Sequence, residues 1–365
     1  MSVFEPEWSS PPGTTIVDVM THKGITSQQL SEQLCLNDLG INQLFEGKLD
    51  LTHDIARKLS ACIGGSESFW LNREKQYRSD LKRAELLEHE TTSWLQTLPT
   101  KDMVKFRWIS PSTTPNEKRS KCLDFFGVCN IREWYEKFEN FHLIASYRTS
   151  NTFDSEPLSV MTWLQQGIIE SEKVACTPWN PNSFEQALIQ VRQFTRIKEP
   201  SSFVPKIRAL FARSGVALVI VPTPSKCRAS GATFFTSEDK AILLLSFRYL
   251  SDDHFWFSLF HEAGHILLHG KNSTFIENLD EVADQRETEA NEFSQKILIP
   301  EEYQDEFLAL NARQWKNIVR FAKKIGVSSG IVVGQMQHFG LLGHHQLNKL
   351  KTRFKWIESE ISQKS

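Results

Sequence analysis

No apolar run in these 365 residues approaches the roughly 20 needed to cross a bilayer, which excludes a membrane-spanning helix and a membrane partner. The opening Met-Ser-Val-Phe-Glu-Pro-Glu is acidic and lacks a basic stretch followed by an apolar one. No secretory signal is expected, and the expected location is the cytoplasm. Charge of one sign is not in excess: 42 Lys and Arg stand against 44 Asp and Glu, a net −2 that commits the whole molecule to no polyanion. Cysteine is sparse and scattered (Cys35, Cys62, Cys122, Cys129, Cys176, Cys227). Without a C-x-x-C pair a thiolate zinc site is not expected, and reduced thiols are. There is no internal repeat and no low-complexity tract. What is abundant is aromatic: 25 Phe and 10 Trp imply a well-filled core in a soluble chain of two or three domains.

Punctuation divides the chain. Residues 1–12 are polar, end in Pro11-Pro12 and read as a mobile tail. Residues 13–80 read as short helices separated by Gly24, Gly47 and Gly64-Gly65. Residues 81–185 read as a helical linker region broken by prolines. Beyond it the period changes. Val216–Val221 and Ala241–Leu245 are short apolar runs of the kind that form buried strands. Asp252 and Asp253 then offer caps for a helix. Strand, strand, helix in this order predicts an α+β fold over 186–306, behind an all-α amino-terminal domain and a helical middle region. A basic helical segment, 307–365, follows.

The predicted helix carries His261-Glu262-Ala263-Gly264-His265. Residues four apart lie about 40° apart around a helix and about 6 Å along it, so both imidazoles reach one ion. This is the H-E-x-x-H pattern of zinc peptidases, in which the glutamate serves as general base. Phe255, Phe257, Leu259 and Phe260 precede it and Ile266, Leu267 and Leu268 follow. Polar groups buried in such a setting need a partner. His269 lies about 12 Å along the helix from His261, too far to share the ion, and reads as a carboxyl-terminal cap.

A catalytic zinc takes a third protein ligand. Candidates are Glu277, Asp280, Glu281, Asp284, Glu287, Glu289 and Glu292. On a helix measured from Ala283, the apolar stripe Ala290, Ser294, Ile297 and Leu298 spans about −40° to +60°. Glu287 falls inside it at about +40°, and Glu289 falls outside at about −120°. Glu287 is therefore the preferred ligand. Asn291, one turn further on, is placed to orient a ligand by hydrogen bonding.

His-Glu-Ala-Gly-His, then Glu287-Thr-Glu-Ala-Asn-Glu-Phe-Ser294, then Ile297-Leu-Ile-Pro300 resembles the ImmA/IrrE metallopeptidases. Ser294 stands where that pattern has alanine. The resemblance extends over roughly 200–342, through Ser230-Gly-Ala-Thr, Asp239-Lys-Ala-Ile-Leu-Leu-Leu-Ser and Ile325-Gly-Val-Ser-Ser-Gly. It implies a zincin-like domain with His261, His265 and Glu287 holding Zn2+ and Glu262 as catalytic base. It implies cleavage of a regulatory protein of the repressor or antitoxin class. The strand Ala241–Ser246 is expected to hold substrate by strand addition. Arg248, Tyr249, His338, His344 and His345 remain open as oxyanion stabilisers.

Residues 13–80, ending in Ser66-Glu-Ser-Phe-Trp-Leu-Asn72, resemble the XRE-type helix-turn-helix domain of HigA-like antitoxins. That implies DNA or a cognate toxin as partner. Yet the segment holds 7 Lys and Arg against 9 Asp and Glu, a poor footprint for phosphate. Residues 307–357 are the opposite: nine Lys and Arg and no acid. Phe321-Ala-Lys-Lys-Ile-Gly-Val-Ser-Ser-Gly-Ile-Val has the spacing of another helix-turn-helix-like pair. Lys323, Lys324, Lys349 and Lys351 are the expected nucleic-acid contacts. The alternative reading is an antitoxin or transcription regulator whose peptidase-like domain is structural. The intact Glu262 favours the enzyme.

Overall fold

The computed structural model describes residues 9–138, 156–270, 281–357 and 360–363. The chain divides into two compact units, Met1–Trp94 and Leu95–Ser365.

Among its described residues the first unit is all helical: α1 (Pro12–Lys23), α2 (Ser27–Leu34), α3 (Asp38–Phe45), α4 (His53–Ile63) and most of the long α5 (Glu67–Thr97). Short polar residues start the helices. Thr26 forms a capping box with Gln29, Asn37 accepts from the Gly40 amide at 2.8 Å, and Thr52 caps α4. Ile16, Leu30, Leu34, Ile41, Leu44, Leu59 and Trp70 form its core. The boundary expected at residue 80 falls inside α5, because helical periodicity continues through it without a break.

The second unit opens with α6 (Thr100–Lys105), α7 (Pro115–Phe126) and α8 (described over 131–138). Next come α9 (Pro157–Glu172), α10 (Pro181–Arg192) and α11 (Pro200–Ala212). A three-stranded sheet follows, built from β1 (Val216–Ile220), β2 (Gly231–Ser237) and β3 (Lys240–Leu245). Its order is β1-β3-β2, with β3 parallel to β1 and antiparallel to β2. Alternation sorts the strands between two cores. Val216, Leu218, Ile220, Leu243 and Leu245 join one with Phe211, Trp256 and Leu259. Val219, Ile242 and Leu244 join the other with Val160, Trp163 and Leu164 of α9. The helix α9 thus covers a whole sheet face, at Gly167 so closely that a Cβ would lie 2.6 Å from Leu244. A segment expected to be linker is part of the α+β unit.

The sheet leads into α12 (Asp252–Gly264) and α13 (Glu281–Leu298), then α14 (Gln304–Leu308), α15 (Trp315–Ile325) and α16 (Ser329–His338). The chain ends in an antiparallel pair, β4 (Phe354–Ile357) and β5 (Glu360–Gln363). The carboxyl-terminal segment is therefore neither separate nor wholly helical. Phe321, Ile331, Val332, Met336 and Phe354 lie in the core that also holds Phe255 and Leu259 of α12.

Asp252 and Asp253 do not cap α12; Ser251 holds the cap position, its hydroxyl donating to Asp253 Oδ1 at 2.6 Å and not accepting from a helix amide. They are its first two residues, buried at 3% and 7% exposure. Asp252 accepts from the Thr352 amide at 2.9 Å and from Ser328 Oγ at 2.8 Å. Burial pushes its carboxyl up to about 6 despite those bonds. Asp253 meets the Lys351 ammonium at 2.6 Å, and Lys351 also donates to Gln337 Oε1 at 2.7 Å. Lys351→Met would leave the buried Asp253 carboxylate with the Ser251 hydroxyl at 2.6 Å and the His254 ring at 3.8 Å but without its ammonium partner, a loss of about 3–5 kcal/mol. Denaturant unfolding should show it, with partial recovery in the double variant Asp253→Asn, Lys351→Met. An unchanged midpoint in Lys351→Met would mean that the pair contributes nothing to folding.

Candidate metal centre

The helix α12 forms because Phe255, Trp256, Leu259, Phe260 and Ala263 bury a continuous stripe. That orientation turns His261, Glu262 and His265 toward one side. Past Gly264 the backbone widens into a π-helical turn, His265–His269, a distortion common at functional sites. The helices α12 and α13 approach closely where both are small: a Cβ on Gly264 would lie 3.3 Å from the Ala290 Cα and 3.0 Å from Phe293 Cδ1. Ser294 is fully buried and donates to the Phe257 carbonyl at 3.0 Å. The hydroxyl, unlike the alanine of the resembled pattern, thereby ties α13 to α12 one turn before His261.

This approach delivers Glu287 to the histidines. The Nε2 atoms of His261 and His265 are 3.1 Å apart. Glu287 Oε2 lies 3.3 Å from His261 Nε2, and Oε1 lies 3.2 Å from His265 Nε2. The three are the one group of potential metal donors of this kind among the described residues. His261 Nδ1 faces Asn291 Oδ1 at 3.0 Å. With the proton of a neutral ring on Nδ1, the Nε2 lone pair points at the other donors. A tetrahedral zinc with bonds of about 2.0–2.1 Å holds its donors about 3.3 Å apart, so these separations and this His-His-carboxylate set fit the ion.

Without the ion, imidazole protons on Nε2 take the place of a cation between the histidines and Glu287. Burial opposes ionisation of Glu287, but hydrogen bonds from His261 and His265 outweigh it and hold the carboxyl far below the usual carboxylate range. Burial likewise pulls His261 down, and its contacts with Glu287, Glu262 and Asn291 outweigh that and raise it. Asn291→Ala, which leaves all three donors in place, should weaken zinc binding about 10–100-fold in a competitive chelator titration. Unaltered affinity would remove Asn291 from any orienting role.

The other candidates lie elsewhere. Glu289 lies 3.7 Å from His269 Nδ1 and accepts from Gln285 Nε2 at 2.8 Å. Glu292 pairs loosely with Lys296 at 3.7 Å. Glu277 and Asp280 lie outside the described residues, as do the side chains of Glu281 and Asp284. His269 is not a simple cap. Its Nε2 lies 3.2 Å from the Arg286 carbonyl, so it ties the π-helical turn to α13.

Glu262 is buried at 8% exposure beneath the start of β2. A Cβ on Gly231 would lie 2.5 Å from its Oε1, so only glycine lets strand and carboxylate coexist. Neither this role of Gly231 nor the strand β2 is among the sequence expectations, since Gly231-Ala-Thr-Phe-Phe-Thr-Ser lacks the alternation of a half-buried strand. The strand expected to take substrate by strand addition, Ala241–Ser246, corresponds to β3. β3 is central and paired on both sides, whereas β2 is a sheet edge among the described residues.

Arg248 and Tyr249 share a depression with Ser230, His254 and Ser258, one helical turn before Glu262. His338 lies across Phe257 from His261, with ring centroids 6.2 Å and 6.0 Å from that phenyl. His344 and His345 lie in the loop after α16, where the His344 carbonyl accepts from Gln337 and Asn348.

Of the four lysines expected at nucleic acid, Lys351 alone is withdrawn from solvent. Lys323 is exposed, Lys324 pairs with Glu306 at 2.5 Å, and Lys349 lies 5.7 Å over the Trp315 ring. Lys351 is buried at 5% side-chain exposure against Asp253 and is corrected to a structural residue. The pair α15–α16 has helix-turn-helix spacing, but Ile331, Val332, Val333, Gln335, Met336 and Gln337 bury α16 and leave no helix to enter a groove.

No curated protein matches the chain. Residues 216–335 match a peptidase family model, described as the IrrE N-terminal-like domain, which spans β1, the H-E-x-x-H helix, Glu287 and most of α16.

Proposed function

We propose that the Leu95–Ser365 unit is a zinc-dependent endopeptidase. His261, His265 and Glu287 would hold the ion, and Glu262 would act as general base. The observation that carries this is the convergence of three lone-pair donors beside a carboxylate held under a sheet edge. Zinc, when bound, supplies Lewis-acid polarisation of the peptide carbonyl and acidifies water. The protein does the rest. Extended substrate adds to the outer edge of β2, where main-chain groups hold it without regard to side chain. Glu262 takes a proton from the attacking water and returns it to the leaving amine nitrogen. Asn291 fixes the His261 ring by accepting from Nδ1. A structural site would have no use for the buried Glu262.

The substrate class we infer is a regulatory protein of the repressor or antitoxin kind, engaged through the helix-turn-helix-like Met1–Trp94 unit. Protein is favoured over DNA there because four of its cations are already matched. Lys48 pairs with Glu46, Arg57 and Lys58 with Asp54, and Arg78 with Glu74 and Asp50. Asp38 opens α3, and Leu39 is 65% exposed beside it. The reading is tested by mapping new protein termini in cells carrying the wild-type chain or Glu262→Gln. Termini that appear only with wild type, in a regulatory protein, support it; identical termini in both sink it.

A further inference from the structure

We propose that the outer face of α15 binds single-stranded nucleic acid: Arg313, Lys316, Arg320, Lys323 and Lys349 hold the phosphodiester chain, and Trp315 stacks on a base. The helix is strongly two-sided. Ile318, Phe321, Ala322 and Ile325 are buried, and at about 100° per residue they centre opposite the stripe Lys316, Arg320 and Lys323, which itself spans only about 60°. All three cations of that stripe are exposed, and so is Arg313 just before the helix. From Lys316 to Lys323 the stripe runs about 10 Å along the axis, room for two or three phosphates.

One margin of the stripe is apolar and open. Trp315 is 40% exposed and Val319 is 37% exposed. Lys349, from the loop after α16, places its ammonium 5.7 Å over the Trp315 ring, so a cation and a π-face meet at the same point. The other margin ends where Lys324 pairs with Glu306. Between Phe307 and Ile357 there is no Asp or Glu to neutralise this face. A basic track beside a stacking platform is the chemistry that holds unpaired bases. Duplex is disfavoured because the buried α16 cannot enter a groove. An acidic protein would use the cations but not the base-stacking face.

The test is a fluorescence-anisotropy titration of the full chain against a labelled oligo-dT of about 20 nucleotides, at several salt concentrations. Its comparison ligands are a duplex, an abasic phosphodiester and a poly-Glu peptide of similar length. Wild type should favour oligo-dT over all three. The triple variant Lys316→Ala, Arg320→Ala, Lys323→Ala removes only exposed side chains. It should weaken binding at least about tenfold at low salt and flatten the log–log salt slope by about 2, at 0.7 per contact on single strands. Trp315→Ala should weaken oligo-dT by about tenfold while leaving the abasic chain unaffected, and Trp315→Phe should restore much of the loss. Any of four results overturns the proposal: no binding by wild type, full binding by the triple variant, duplex preferred, or poly-Glu bound as tightly as oligo-dT. Equal loss of oligo-dT and abasic chain in Trp315→Ala removes the stacking role and overturns it as stated.

Discussion

Glu287→Ala should lose zinc, and Glu289→Ala should keep it. The two glutamates are two residues apart on one helix, so the pair controls for charge, helix propensity and position in sequence. Glu287 touches both imidazoles at 3.2–3.3 Å, whereas Glu289 lies 3.7 Å from His269. Removing a direct ligand should cost more than the roughly 10–100-fold typical of a supporting residue, so an affinity loss beyond about 100-fold is expected for Glu287→Ala. For Glu289→Ala the loss should stay within a few-fold, well below that range. Metal content after dialysis, near one ion per wild-type chain, and chelator competition measure both. The opposite ranking would move the ligand to Glu289 and require α13 to turn by about 200° about its axis, which the burial of Ala290, Ser294 and Leu298 forbids.

Glu262→Gln should retain zinc and stability yet lose cleavage of the natural substrate by at least about 100-fold, the low end of what a general base contributes. Glutamine fills the same space under Gly231, so the strand need not shift. It cannot accept the proton of the attacking water. Zinc titration, thermal unfolding and substrate cleavage separate the roles. Loss of zinc or of fold in this variant would make Glu262 structural, and undiminished cleavage would remove it from the reaction. Gly231→Ala approaches the same carboxylate from the strand side, where a Cβ would lie 2.5 Å from Oε1.

Much of the centre is legible in the sequence because its geometry is local. A spacing of four puts His261 and His265 on one helical face, and the apolar stripe of α13 marks Glu287 as the glutamate turned toward α12, although its side chain stays 54% exposed against 44% for Glu289. Helix periodicity depends only on neighbours along the chain, so it survives without knowledge of partners. The short apolar runs that became β1 and β3 are legible for the same reason. Strand β2 is not. Gly231-Ala-Thr-Phe-Phe-Thr-Ser has no clean alternation, and its pairing depends on β3 being central.

What only the tertiary structure decides are the contacts between distant segments. The close approach at Gly264 and Ala290 brings Glu287 to His261 across 26 residues of chain, counted from 261 to 287. Which strands lie at a sheet edge follows from sheet order, which no single strand encodes. Lys351, one of nine cations in a run without acids, is drawn inside by Asp253, 98 residues earlier. A charge count cannot separate it from Lys323, which stays outside. Composition sets how many charges a segment carries, and packing sets which of them meet water. A buried charge persists where a distant partner compensates its desolvation. The sequence by itself therefore determined the types of the candidate donors, their spacing and the helices that bear them, since these follow from local stereochemistry. The fold decided which edge is open, which lysine is buried and which helix face remains free.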